Sequence, residues 1–415
     1  MPPVHSPAAA AEHLAGIAHP DRLVALRAVA DRLDTDRARI LRLLTEVTTH
    51  RAAEYEIEAA RATLAGAGTE VDTYRPAPVA RLAAFMPSNV LLYSYVLYLL
   101  VPALFVERIR FRPASQVRGP MLALHELLAP VHGLPVTAMP VSQRAFLRDA
   151  VAPADLVVFT GSYQNAEQIR PQLRPEQLFV FLGGGINPFV VAPGADLATA
   201  TRDAATIRLW NSGQDCLAPD LFLVNQADLD EFLARLVDRL AGLRYGPAAD
   251  PAADYGPMVY DEALERAALY LFRNQPHIVH GGTVDFGSRR IEPTVVLGAE
   301  PTGKLGRTEV FAPIFNVVGY QHEDTLIQTL NSGVFAERAL GASVYGRAPR
   351  LVAALAERHL VTVDETLLAA DDGNAPFGGR GPMANYLAHA GRLHAEPVLL
   401  SKAVAEHPPA AGGAA

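Results

Sequence analysis

The chain carries a single cysteine, Cys216, and only two lysines, Lys304 and Lys402. One cysteine cannot form an internal disulfide, so a disulfide-stapled scaffold is excluded. A lone cysteine is either a small buried hydrophobe or a nucleophile, and composition does not separate the two. Charge of one sign is not concentrated anywhere. The net charge is −8, with no basic stripe, so nucleic acid is not expected as a partner. Only 19% of residues are charged and half are hydrophobic, which is a globular composition. The one long uncharged run, Val90–Val106, has 17 residues, at the lower limit for a membrane span. It contains Pro102, Ser94 and three tyrosines, and no second such run exists, so it is expected as a buried helix. Residues 1–20 lack a basic stretch followed by an apolar one, so no signal peptide is expected and the cytoplasm is the expected compartment. No metal-ligating set is assigned.

What is present reads as alternating strands and helices. Leu23, Leu26, Val29, Leu33, Ile40, Leu43 and Leu44 recur at helical spacing, so residues 21–65 are expected as helices. A short linker is expected from there to Val79. Strands are expected at Val79–Phe85, Arg108–Phe111, Val136–Val141 and Leu156–Thr160, with helices near Pro120–Leu128 and Gln143–Ala150 between them. That order predicts an α/β fold with a parallel sheet covered on both faces. The order repeats after Gly185. A helix over 197–211 precedes Cys216. The strand Leu221–Val224, the helix Asp228–Leu240 and strands near Ile278, Thr294–Leu297 and Ile314–Gly319 follow.

Five short motifs then stand in series. They are Phe159-Thr160-Gly161-Ser162, Gly184-Gly185-Ile186-Asn187-Pro188, Asn211-Ser212-Gly213-Gln214-Asp215-Cys216, Glu309-Val310-Phe311-Ala312-Pro313 and Pro376-Phe377-Gly378-Gly379. In this order and at these separations, over residues 19–400, the chain resembles the aldehyde dehydrogenase superfamily. The resemblance implies a Rossmann-like cofactor domain over 1–183, to which 380–396 returns, and an αβ catalytic domain over 184–379 carrying Cys216. It implies a C-terminal strand over 397–407, as part of a reduced oligomerisation arm, and a homodimer. The tail over 408–415 is expected to be disordered.

The resemblance also gives roles. Cys216 becomes the thiolate that adds to an aldehyde carbonyl. Asn89, in Pro87-Ser88-Asn89, becomes an oxyanion donor, although it could equally cap the apolar helix. The cofactor is NAD or NADP. No G-x-G-x-x-G follows the first strand, and Gly161 and Ser162 would receive phosphate at a helix start instead. Glu309 would hold the nicotinamide ribose, with Phe311 packed nearby. Arg112 and Ser115 fall where the family usually has lysine and glutamate for the adenosine ribose. Loss of that carboxylate removes repulsion against a 2′-phosphate, so NADP is admitted.

Two departures bear on mechanism. Leu182, 34 residues before Cys216, stands at the position of the family's general-base glutamate. A second family carboxylate would fall near Ala388. Without a base, attack of water on a thioacyl enzyme slows by roughly 10²–10⁴-fold. The leading expectation is therefore interconversion of an aldehyde and an acyl thioester, with coenzyme A or an acyl carrier protein as partner. Tyr93, Tyr95 and Tyr98 lie where the family lines its substrate tunnel, although plain helix packing is expected to account for most of them. The alternatives are oxidation of an aldehyde to its acid with a substitute base such as His389, and an impaired binding subunit.

Overall fold

The computed structural model describes residues 19–300, 303 and 305–409. The start of the expected first domain and the tail from residue 410 lie outside the described residues. Five parallel strands come first: β1 Val79–Phe85, β2 Val106–Arg112, β3 Val136–Ala138, β4 Leu156–Thr160 and β5 Leu178–Leu182. Their central residues, such as Ala83, Val157, Val158 and Val180, are fully buried, as expected for a sheet with helices on both faces.

A second set follows: β6 Pro188–Val191, β7 Leu221–Asn225, β8 Ile278–His280, the ribbon β9 Val284–Asp285 and β10 Arg290–Ile291, then β11 Thr294–Gly298, β12 Ile314–Tyr320, β13 Gly341–Tyr345 and β14 Leu360–Val363. The chain then returns to the first sheet with β15 Asn385–His389 and β16 Arg392–His394. The sheet orders are β16-β15-β5-β4-β1-β2-β3 and β14-β13-β6-β7-β12-β11-β8. This is a Rossmann-like sheet joined to an α/β sheet.

In the first sheet the order reverses at β1, which lies between β4 and β2. Open parallel sheets bind ligands beyond the carboxyl ends of their strands at such a point. Arg112 is the last residue of β2, and Asn89, Ser115, Gly161 and Ser162 follow the ends of β1, β2 and β4. In the second sheet Asn187, Cys216, Glu309 and Phe311 all lie just before a strand begins.

Several elements differ from expectation. The helix His50–Tyr74 continues through the expected linker. Its Ala65-Gly66-Ala67-Gly68 stretch reads as a breaker, since glycine costs ~1 kcal/mol against alanine in a helix. Here the missing side chains permit close packing. A methyl on Gly66 would strike the Asn374 side chain, and Gly68 lies against Leu23. The expected strand over 397–407 is a helix, Leu400–Glu406. Only Val398 pairs as strand, with Phe377. Leu400, Ala403 and Val404 are buried at helical spacing, and Ser401 donates to Glu70 of the long helix at 2.6 Å. A helix, Asp261–Arg273, also stands between the expected helix ending at Leu240 and β8.

The apolar run forms one helical passage in three pieces. Leu92–Tyr95 is α-helical, Val96–Leu100 forms a π turn and Pro102–Leu104 a 3₁₀ turn, after which β2 begins. Among the described residues no helix is long and apolar enough to cross a membrane.

Arg208 ends the helix Leu197–Arg208 and is only 1% exposed. It donates to the carbonyls of Pro219 and Ala312, each at 2.9 Å, and to that of Val310. Its ion pair with Asp220 spans 3.5 Å, and Asp220 accepts from the Val310 amide at 2.9 Å. This buried charge pair joins the segment after Cys216 to the segment carrying Glu309. Removing one member leaves the other uncompensated, at a cost of about 3–5 kcal/mol. Arg208→Met is expected to lower the urea midpoint by a corresponding amount with an unchanged m-value, measured by circular dichroism.

Candidate active site

The turn before Cys216 is wound against the normal backbone preference. Asn211, Ser212 and Gly213 have φ of 45°, 56° and 77°. Asn211 tolerates this region better than most residues, and Gly213 is needed there. A methyl on Gly213 would strike the backbone of Ala312 and Pro313. Thus the cysteine motif and the Glu309–Pro313 motif touch through the glycine.

Side chains hold the turn. Ser212 donates to the Gly256 carbonyl at 3.0 Å and accepts from the Gly256 amide at 2.9 Å. Gln214 is fully buried and accepts from the Val259 amide at 2.8 Å. Asn187 donates to the Cys216 carbonyl at 2.6 Å and accepts from the Gly341 amide at 3.1 Å. Three side chains therefore fix the loop, and a fixed loop can aim a nucleophile.

Asn89 is brought to this loop. Its amide Nδ2 lies 3.5 Å from the Gln214 carbonyl. It does not cap the apolar helix. That task falls to Glu56, which accepts from the Leu92 amide at 2.9 Å and the Tyr93 amide at 3.3 Å. Burial pushes the Glu56 carboxyl up to about 8. With the cap supplied from elsewhere, the Asn89 amide is left facing the cysteine loop. Tyr260 steadies that segment by donating to the Ser88 carbonyl at 2.7 Å. The ring of Phe311 lies 6.2 Å from that of Tyr260.

Cys216 is partly exposed and is the free thiol of the chain. Burial of the sulfur pushes its pKa well up, and the charges of Asp215, Glu309 and Asp371 push it further. Burial raises Asp215 to about 6, while its carboxylate accepts from the Leu217 amide at 2.8 Å. Burial and the neighbouring Asp220 also raise Glu309. The Glu309 carboxylate lies against Gly184, where a methyl group would collide with it. The third carboxylate comes from the loop after β14. Asp371 accepts from the hydroxyls of Tyr55 at 3.1 Å and Tyr93 at 3.2 Å, and burial raises its pKa. Tyr98 is close enough for Cys216 and Asp371 to raise its own pKa further, after burial. Tyr95 instead packs inside the helical layer, 2.7 Å from His125 and 3.1 Å from His132.

Sequence reasoning missed Asp371. Nothing in residues 364–375 marks it, because its setting depends on tyrosines from two distant helices. The structure leaves His389 outside this group. It lies on β15 beside His394 and His407. Leu182 ends β5, where its carbonyl accepts from the Gly161 amide at 3.0 Å. Its side chain is apolar and can take no proton.

The remaining candidates cluster past β2 and β4. Arg112 donates to the Val141 carbonyl at 3.0 Å and to the Ser115 hydroxyl at 3.2 Å. Burial lowers its pKa, as does nearby Arg118. Ser162 caps the helix Tyr163–Ile169 by accepting from the Asn165 amide at 3.3 Å. Gly161 precedes it. A cleft of about 550 Å³ is lined by Gln143, Arg144, Leu147, Arg148, Val151, Ala152 and Gln172, and Cys216 is not part of its lining.

The thiol environment has a measurable consequence. Negative neighbours disfavour the thiolate, so removing one lowers the thiol pKa. The rate of Cys216 alkylation by iodoacetamide is expected to be still rising at about pH 9, above the inflection of an ordinary cysteine at about 8.5. Asp371→Asn and Glu309→Gln should each move the inflection to lower pH, read by mass spectrometry of timed samples.

The chain is similar to known proteins. The chain is 30% identical over 309 residues to "Succinate-semialdehyde dehydrogenase [NADP(+)] 1" of Mycobacterium bovis, covering 70% of this chain and 64% of that protein. It is 29% identical over 249 residues to "4,4'-diapolycopene-4,4'-dial dehydrogenase" of Cytobacillus firmus, covering 58% and 52%. The chain thus spans about half to two thirds of the length of these curated relatives. The crystal structure of glyceraldehyde-3-phosphate dehydrogenase GapN from Methanocaldococcus jannaschii complexed with NADP superposes with a TM-score of 0.81 at 20% identity, covering 95% of this chain and 89% of that one. At that identity the likeness is one of fold. Residues 4–382 match the profile of the aldehyde dehydrogenase family, and the chain belongs to that family.

Proposed function

We propose that the chain oxidises an aldehyde to its carboxylic acid with NAD or NADP, through an acyl group held on Cys216. The observation that carries this reading is the cluster of three carboxylates around the thiol. A buried thiol with a raised pKa needs a group to take its proton, and Asp215, Glu309 and Asp371 are present to do so. The thiolate then adds to the carbonyl carbon. The Asn89 amide and the Cys216 backbone N–H stabilise the oxygen that becomes negative.

The cofactor fits the residues present. The cleft combines an apolar wall with guanidinium groups, which suits a purine and its phosphates. Arg112 and Ser115 would meet the adenosine ribose, and the absence of a carboxylate there admits a 2′-phosphate. Gly161 and Ser162 would receive phosphate, and Glu309 with Phe311 would hold the nicotinamide ribose. A nicotinamide bound there supplies the hydride acceptor.

The chain must then release the acyl group. Water attacks the thioester carbon, its proton passes to a carboxylate, and the cysteine leaves as thiol once reprotonated. We assign the base to Asp371. Its two oxygens are oriented by Tyr55 and Tyr93, and burial makes it a better proton acceptor than an exposed aspartate. Leu182 favours a second reading, in which coenzyme A or a carrier-protein thiol removes the acyl group instead.

Rapid mixing with an aldehyde and NAD(P) separates the two. The expected result is a burst of about one NAD(P)H per site followed by steady turnover in water alone. Asp371→Asn should keep the burst while steady turnover falls by ~10²–10⁴-fold, the usual weight of a general base. Steady turnover that appears only after coenzyme A is added would support the thioester reading. Cys216→Ala should abolish burst and turnover together.

A further inference from the structure

Three imidazoles and two carboxylates of residues 389–407 meet at the open edge of the first sheet. β15 and β16 form an antiparallel pair with Leu387 opposite His394 and His389 opposite Arg392. Residues two apart on a strand share a face, so His389 and His394 face the same way. The helix Leu400–Glu406 ends over that face. The His407 ring centre lies 4.7 Å from that of His394 and 6.1 Å from that of His389. One ligand atom from each of Glu396, Glu406 and His407 lies within 4.8 Å of the others.

The donors are held in place. Asn385 donates to the Glu396 carbonyl and fixes that turn. The His407 amide donates to the Ala403 carbonyl at 2.9 Å and continues the helix. Glu406 is balanced by Lys402, 2.6 Å away across one helical turn, with both side chains partly exposed. Such a pair is worth ~0.3–0.5 kcal/mol and yields readily to a cation. Nothing in the proposed chemistry uses these groups.

We propose that Glu396, Glu406 and His407 bind a divalent transition cation, zinc above others, which clasps the C-terminal helix to the sheet edge. Imidazole nitrogen with carboxylate oxygen is a donor set for zinc and its neighbours rather than for calcium or magnesium. Two carboxylates neutralise the ion, one imidazole supplies the nitrogen, and water completes a four-coordinate shell. Metal–ligand bonds of ~2.0–2.2 Å hold neighbouring donor atoms roughly 3.3–3.6 Å apart. The present spread closes to that by side-chain rotation, with Lys402 released to solvent.

The full chain is titrated with Co²⁺ and, separately, with Zn²⁺. Expected are one equivalent of Co²⁺ with visible bands of a four-coordinate nitrogen–oxygen site, and a Tm that rises with Zn²⁺ concentration. His407→Ala and Glu396→Gln should each weaken both signals by at least about tenfold. Glu396→Gln is isosteric, and unchanged circular dichroism and Cys216 alkylation confirm the fold in each variant. Absence of both signals in the unmodified chain overturns the proposal. So does unchanged binding in the two variants. A sulfur-to-cobalt charge-transfer band that disappears in Cys216→Ser also overturns it, because the ion would then sit on the thiol.

Discussion

The candidate active site depends on one buried guanidinium. Arg208 donates to the carbonyls of Pro219, Val310 and Ala312 and pairs with Asp220. These groups belong to two segments about ninety residues apart, one following Cys216 and the other carrying Glu309. A charge taken out of water is tolerable only where its hydrogen bonds are made and its countercharge is near. Those requirements fix both segments together. The contact of Gly213 with Ala312 and Pro313, and the left-handed turn before Cys216, follow from that closeness. The strain of the turn is sustained because Ser212, Gln214 and Asn187 over-determine it.

A second constraint comes from the long helix His50–Tyr74. Tyr55 reaches Asp371, and Glu70 accepts from both Asn374 at 2.8 Å and Ser401 at 2.6 Å. The loop that brings Asp371 towards the thiol is thus tied along one helix, and the C-terminal helix is tied to the same carboxylate. Gly66 makes the approach of Asn374 possible. The same helix supplies Glu56 as the external cap of the apolar helix, which leaves the Asn89 amide to the cysteine loop. Packing that would otherwise be purely structural therefore sets two polar groups, Asn89 and Asp371, near the Cys216 loop.

The strands were legible because central parallel strands are short, apolar and β-branched. Val79–Phe85 and Leu156–Thr160 match their expected bounds. Segments whose state depends on what they touch were not legible. Ala65–Gly68 reads as a breaker and is helix, because glycine there serves close packing. Residues 400–406 carry apolar spacing compatible with either state, and the contact of Ser401 with Glu70 selects the helix. Ser162 was expected at a helix start and is there, capping it.

By itself the sequence determined the alternation of elements, the family, and the places of Cys216, Asn89 and Glu309 along the chain. These follow from local spacing, and spacing survives in one dimension. Only the tertiary structure decided what surrounds the thiol. Leu182 is apolar, and the carboxylate of Asp371 comes towards the thiol from a loop of no recognisable pattern. The imidazoles of His389, His394 and His407 are drawn away from the thiol to the sheet edge. Electrostatic interaction depends on distance and burial, and neither can be read from separation along the chain.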